Sequence, residues 1–253
     1  MNREVFGEFE GHHAGQSCLF FGAGPTLTEF DDVGFSKDVV RIGSNELVHT
    51  DIVLDYYFLG DAQPGPPPNK GYLANPKIYD GYAPRIQKFV RDPIWSNVGA
   101  HGSGSIPAGM PGARYYKCHI GGKRGDTSQP YSIDSWSPDI LDRPLYAYSS
   151  VSFEALQFIL FTGVTSIYLV GHDCDYTHGT FQSPNANDEF HRSCGRDQCG
   201  GWEMAKKYIS ENFPEVRILS VRPVGLKGLF DEPQSLLGDF IRTEDVRELN
   251  RLL

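Results

Sequence analysis

The sequence predicts an α/β fold: one domain with a mainly parallel sheet, helices on both faces and a lid segment. Three observations carry this expectation. The second half runs helix, strand, helix, strand, an order that pairs strands in parallel through crossovers. Three apolar strands in the first half each end in glycine, followed in two of them by a small polar or acidic residue, and in open α/β sheets such carboxyl ends are where ligands bind. The chain has 253 residues, 40% of them hydrophobic, enough for one large domain with a sizeable core.

The first strand, Cys18–Phe21, runs straight into Gly22-Ala23-Gly24-Pro25-Thr26-Leu27. Two glycines let the backbone bend sharply and approach a ligand. Pro25 and Thr26 compete for the start of a following helix. Strand, turn and helix start together offer backbone N–H groups to an anion, so a phosphate-bearing ligand, most simply a nucleotide, is the first functional hypothesis. The turn is not the G-x-G-x-x-G fingerprint, because Leu27 stands at the third glycine, and no Gly-Lys-Ser/Thr follows as in a P-loop. An ordinary strand-to-helix turn is the competing interpretation.

Val39-Val40-Arg41-Ile42-Gly43 predicts the second strand, ending in Ser44-Asn45, and Tyr56–Gly60 the third, ending in Asp61. Pro64-Gly65-Pro66-Pro67-Pro68-Asn69 makes a stiff loop of the segment between Ala62 and Gly71. One strand, Arg114–Cys118, stands in the glycine-rich stretch from Asn97 to Gly125. Val151, Ala155, Leu156, Ile159 and Leu160 recur at helical spacing after the capping pair Ser149-Ser150, and Gly163 ends that helix. Ser166–Val170 is the next strand and runs into Gly171-His172-Asp173. A helix over about Trp202 to Asn212 leads to a strand at Val216–Ser220. The domain so defined covers residues 1–235, with a lid over about 174–200, and residues 236–253 form an amphipathic helical tail. The tail's periodicity suits packing on the body, on a partner such as a second copy, or peripherally on a membrane surface.

Composition narrows the function. A formal net charge of −9 argues against broad nucleic-acid binding but not against a small phosphorylated ligand held by local dipoles. Five cysteines, an odd number, fit reduced thiols better than a disulfide framework. No run approaches a membrane span and no signal-peptide pattern opens the chain, so a cytoplasmic location, including the inner face of a membrane, is expected.

Four motifs in this order give the chain a resemblance to a known group: the Gly22–Leu27 turn, Arg41-Ile42-Gly43-Ser44-Asn45, Ser149-Ser150-Val151 and Ile167-Tyr168-Leu169-Val170-Gly171-His172-Asp173. It resembles the bacterial sialyltransferases of the Campylobacter lipooligosaccharide type, family 42 glycosyltransferases. Their turn reads Gly-Asn-Gly-Pro-Ser-Leu, and their lid carries a histidine just ahead of a helix, as His191 stands here ahead of the Trp202 helix. The pterin diphosphokinase-like family shares the Gly-x-Gly-Pro-Ser-Leu turn. The resemblance implies a Rossmann-like domain and a transferase that moves a sugar from a nucleotide donor, in the nearest case a CMP-linked one, to a hydroxyl of a glycan or other acceptor. Ala23 and Thr26 depart from the motif, and where the family carries a second phosphate-contacting tyrosine this chain has Phe181.

The candidate site follows from those residues. Gly22, Ala23, Gly24 and Thr26 offer the nucleotide backbone N–H groups in a turn that Pro25 completes, with Asn45, Ser149, Ser150 and Asp173 adding polar contacts. The resemblance implies that Tyr176 donates to the leaving phosphate, and among the nearby histidines His172, His178 and His191 it favours His191 as the base that deprotonates the acceptor. His172 and Asp61 contact substrate. No cofactor is required. The alternative is an ATP- and Mg²⁺-dependent diphosphotransferase with Asp61, Asp173 and Asp175 around the metal, and a non-catalytic nucleotide-binding protein is a further one. His172, Cys174, His178, His191, Cys194 and Cys199 form a weak zinc pattern, because their spacing matches no standard ligand pair.

Overall fold

The computed structural model describes residues 2–30, 39–60, 86–92, 112–120, 136–148, 150–179 and 189–233. Within them lie β1 (Ser17–Phe21), β2 (Val40–Ser44), β3 (Tyr56–Leu59), β4 (Gln87–Arg91), β5 (Ala113–Tyr116), β6 (Cys118–Ile120), β7 (Leu145–Ala147), β8 (Ser166–Val170) and β9 (Arg217–Val221). The α-helices are α1 (Arg3–Phe6), α2 (Ser152–Phe161) and α3 (Glu189–Asn212). Seven strands form one sheet in the order β5-β4-β3-β2-β1-β8-β9, and every neighbouring pair is parallel. β6 and β7 pair separately, also in parallel. Parallel strands are buried on both faces, which is why β1 and β8 read as continuous apolar runs.

Alternate residues divide the core in two. Phe20, Ile42, Phe58 and Phe89 meet α2 (Phe153, Leu156, Phe158, Ile159) and α3 (Trp202, Ala205, Tyr208, Ile209) on one side of the sheet. Leu19, Phe21, Tyr57, Leu59 and Val90 face the other, where Leu27, Leu47 and Val48 cover them from the 3-10 turns Pro25–Glu29 and Asn45–His49. α2 is buried from Phe153 to Leu160, as its nearly continuous apolar sequence requires.

Several elements differ from the sequence expectation. The stretch at 114–118 splits into β5 and β6. β4 has the sequence Gln-Lys-Phe-Val-Arg, whose polar ends hide a strand in which Lys88 and Arg91 are both buried. The chain after the glycine turn is a 3-10 turn with Pro25 first, not an α-helix. α3 begins at Glu189, so His191 lies within the helix rather than ahead of it. Gly195, Gly200 and Gly201 lower the helix propensity of that stretch, and packing overrides it: a Cβ at Gly201 would strike the Phe153 ring of α2. The proline-rich loop, residues 180–188 of the lid with Phe181, and the tail at 236–253 lie outside the described residues.

One buried polar cluster ties α2 to the sheet. The Glu154 carboxylate of α2 accepts hydrogen bonds from Arg91 of β4, with Nε at 3.3 Å and Nη2 on the other oxygen, and from the Tyr116 hydroxyl of β5. The Arg91 and Glu154 side chains are 8% and 0% exposed. Burial alone would lower the Arg91 pKa, but the Glu154 charge beside it holds it well above its ordinary value. Glu154→Gln leaves a buried guanidinium without its counter-charge and is expected to cost about 3–5 kcal/mol in urea unfolding. A loss below about 1 kcal/mol would show that Arg91 does not depend on this partner.

Candidate functional site

The chain crosses the sheet from β1 to β5 in one direction and returns to β8 on the other side of β1. The strand order therefore reverses between β1 and β8, and their carboxyl ends form the switch point where open α/β sheets bind ligands. The glycine turn and Gly171-His172-Asp173 both lie there. The Gly22 N–H donates to the Val170 carbonyl and the Gly24 N–H to the Gly171 carbonyl, each at 2.7 Å. A Cβ at Gly22 would sit 2.5 Å from the Gly171 oxygen, and Gly171 has φ +68, so both positions require glycine.

Asp173 completes the junction. Its Oδ2 accepts from the Thr26 N–H at 2.9 Å, and its Oδ1 from the Thr26 hydroxyl. A carboxylate from β8 thus caps the 3-10 turn after β1, the place where an anion is favoured. The expectation that the turn presents a row of free N–H groups is corrected here. Gly22, Gly24, Thr26 and Leu27 all donate within the protein, and Ala23 is the turn residue whose N–H has no partner among the described residues. Pro25 has no N–H, and Thr26 is a recipient of the cap rather than the cap.

Asn45 sits at the end of β2 with φ 44, a left-handed conformation uncommon outside glycine. Its Oδ1 accepts from the Gly60 N–H at 3.1 Å, and its carbonyl accepts from the Tyr57 hydroxyl at 2.6 Å. Both contacts join the ends of β2 and β3, and the amide's two N–H donors have no partner among the described residues. Cys174, after β8, is also left-handed, with φ 50. Both follow strands that flank β1, so left-handed backbone stands on either side of the glycine turn. The Ser150 hydroxyl accepts from the Ser152 N–H at 3.3 Å and so serves the start of α2. Ser149 and Asp61 lie outside the described residues.

His172 is set into the core. It is 8% exposed, its ring packs 4.6 Å from Phe20 and 5.2 Å from Trp202, and its Nε2 is buried without a hydrogen-bond partner among the described residues. Burial lowers its pKa to about 3, against a hydrogen bond to the Phe20 backbone that opposes the shift.

Tyr176 and His191 do come together. Their ring centroids are 5.9 Å apart at 40°. The Tyr176 oxygen accepts from Gln198 Nε2 at 3.2 Å, and the phenol proton has no acceptor among the described residues. Burial raises the Tyr176 pKa, so the phenol stays protonated at neutral pH. One stripe of α3 makes this possible: His191, Gly195, Gln198 and Trp202 lie at helical spacing and meet Tyr176, Cys174, the Tyr176 hydroxyl and His172 in turn. A Cβ at Gly195 would be 2.6 Å from the Cys174 carbonyl, so glycine sets the approach of the helix. The sequence expects a lid over about 174–200 rather than a helix, so Gln198 is absent from the expected site residues. The signal was its spacing of seven from His191.

No group of three metal-ligating side chains is assembled among the described residues. The Asp173 carboxylate holds Thr26, and the Asp175 carboxylate holds Thr177. No helix is long and apolar enough to cross a membrane among the described residues.

No protein-family model matches the chain, and no curated protein matches it in sequence. Among solved structures, the MAf glycosyltransferase from Magnetospirillum magneticum AMB-1 aligns over 95% of this chain and 37% of its own, with a TM-score of 0.50 and 16% identity. The monofunctional α-2,3-sialyltransferase Cst-I from Campylobacter jejuni aligns over 94% of this chain and 96% of its own, with a TM-score of 0.43 and 12% identity. Campylobacter jejuni CstII, a sialyltransferase in complex with cytidine-5'-monophosphate, aligns over 90% and 84%, with a TM-score of 0.43 and 12% identity. The likeness is one of fold: a single α/β domain on a parallel sheet.

His172 generates a stability prediction. Below its ordinary pKa of 6.5 the unfolded chain binds a proton that the native state refuses down to about 3. The stability from this group is therefore full above pH 6.5 and falls by about 1.4 kcal/mol per pH unit on acidification through that window. Urea midpoints measured for wild type and His172→Phe should diverge in slope between pH 6.5 and pH 4, the variant being flatter. Parallel slopes would show that His172 takes a proton in the folded state.

Proposed function

We propose that this protein is a glycosyltransferase that takes its sugar from a nucleotide donor, CMP-linked as in the sialyltransferases it resembles. The observation that carries the proposal is the meeting of Tyr176 and His191 on one stripe of α3 beside the carboxyl end of β8. A left-handed Asn45 whose amide donors have no partner among the described residues, at the end of β2 two strands along, supports it.

Transfer breaks the bond between the anomeric carbon and the phosphate oxygen as an acceptor hydroxyl forms its own bond to that carbon. Negative charge develops on the departing phosphate. A protonated phenol at Tyr176 donates to that oxygen, a role whose worth rises in a water-poor site. The acceptor hydroxyl loses its proton to His191 as general base. The Ala23 N–H and the Asn45 amide supply donors for the nucleotide and its ribose. Ala23 brings backbone only, so the turn contributes one N–H and no side-chain amide at that point.

His191→Ala should lower kcat at least about 10²-fold in an assay with CMP-linked sugar, with Tm essentially unchanged. Tyr176→Phe should lower kcat while leaving nucleotide affinity within a factor of about two. Equal turnover in wild type and His191→Ala would remove the histidine from the mechanism. Binding separates the donor class: CMP should raise Tm without metal, whereas UDP, GDP and ATP should not. A shift that appears only with ATP plus Mg²⁺ would replace this proposal by diphosphotransfer.

A further inference from the structure

α3 carries a second row of side chains, one step round from the stripe that meets Tyr176 and His172. Arg192 and Arg196 on this row stand four residues apart, so their guanidinium groups share one face of the helix. Both line a cavity of about 430 Å³ whose wall includes Tyr176, Gly200 and Gly225. Tyr176 meets α3 at His191, Gly195 and Gln198, the same turns that carry the two arginines. Charge is divided along the cavity. The arginines stand toward the start of α3, and Glu203 lines the wall seven residues beyond Arg196, about 10 Å along the helix axis. The Asp175 carboxylate, also on the wall, is held by the Thr177 N–H at 2.8 Å and its hydroxyl at 2.5 Å.

The two arginines converge on one oxyanion. Glu189, the first residue of α3, accepts from Arg192 Nε and Nη2 on Oε2, both at 3.3 Å, and from Arg196 Nη2 on Oε1 at 2.6 Å. The bond from Arg196, and then its charge, lower the Glu189 pKa, so an oxyanion at this point stays ionised. The Glu189, Arg192 and Arg196 side chains are 69%, 45% and 64% exposed. Ion pairs so open to water hold weakly and exchange readily. A phosphate offers the same pair of oxygens with more charge, and guanidinium forks match it bidentately.

We propose that Arg192 and Arg196 form the subsite for the leaving phosphate of the nucleotide donor, with Glu189 as the resident anion that the phosphate displaces. The subsite rests on the transferase proposal above and adds a counter-charge to it. As the bond from the anomeric carbon to the phosphate oxygen breaks, its electron pair stays on that oxygen. The phosphate passes from one negative charge to two. The Tyr176 phenol donates a hydrogen bond to it but brings no charge. The guanidinium groups keep their protons throughout, so the acceptor's proton goes to His191. Their fixed positive charge favours the doubly charged phosphate over the singly charged donor ester, a stabilisation that grows toward the transition state.

The test titrates the full chain with CMP and with cytidine, without metal, and reads Kd by calorimetry. Wild type should hold CMP at least about 100-fold more tightly than cytidine, and Arg192→Gln and Arg196→Gln should each narrow that ratio roughly tenfold with the cytidine Kd unchanged. Glu189→Gln should widen the ratio about threefold, a change in the opposite direction that loss of fold does not produce. In the assay with CMP-linked sugar, each arginine variant should lose kcat. A wild-type ratio in the Arg192→Gln/Arg196→Gln double variant overturns the proposal and leaves the transferase proposal standing. So does a loss confined to the KM of the acceptor, which places the pair on the acceptor instead. Wild type that binds neither CMP nor cytidine overturns the transferase proposal, and the subsite with it.

Discussion

The structure depends on the contact between the backbones of β1 and β8 at their carboxyl ends. Gly22 and Gly24 donate to the Val170 and Gly171 carbonyls, and the separation leaves no room for a side chain at Gly22 or Gly171. This junction fixes the switch point of the sheet. It also places Asp173 under the turn after β1, where its carboxylate satisfies both donors of Thr26. Every candidate site residue described on the two strand ends is positioned by this junction, because a shift of one strand would break the backbone bonds and the cap together.

Polar groups elsewhere obey the same economy of burial. Glu154 enters the core on α2 only because Arg91 and Tyr116 meet it from β4 and β5. His172 enters because it stays neutral, with its ring between Phe20 and Trp202. These solutions differ in kind. A charge needs a counter-charge and donors, whereas an imidazole can shed its proton and behave as an aromatic side chain.

The site was partly legible in the sequence. Strand ends marked by glycine and a polar residue located the Gly22 turn, Asn45 and Asp173, since apolar runs and glycine are local signals. His191 and Tyr176 came from the resemblance, and they lie in contact. The roles of Asp173 and His172 were not legible, because each is set by a partner far away in the chain: Thr26 for the first, Phe20 and Trp202 for the second. The length of α3 was hidden for a similar reason. Its glycines argue against a helix locally but are what allow it to press against Cys174 and Phe153.

By itself the sequence determined the fold class, the parallel order of the second half and the chemical character of the strand ends. Period, length and glycine placement are short-range properties, and burial of strands on both faces writes itself into continuous apolar runs. Only the tertiary structure decided which polar groups remain open to a ligand. Among the described residues it closed most N–H groups of the Gly22 turn, left the Asn45 amide donors and the Tyr176 proton without a partner, and buried His172. The physical reason is that hydrogen-bond satisfaction is settled between segments, so a donor that looks free in the chain is free only if no neighbouring strand or helix reaches it.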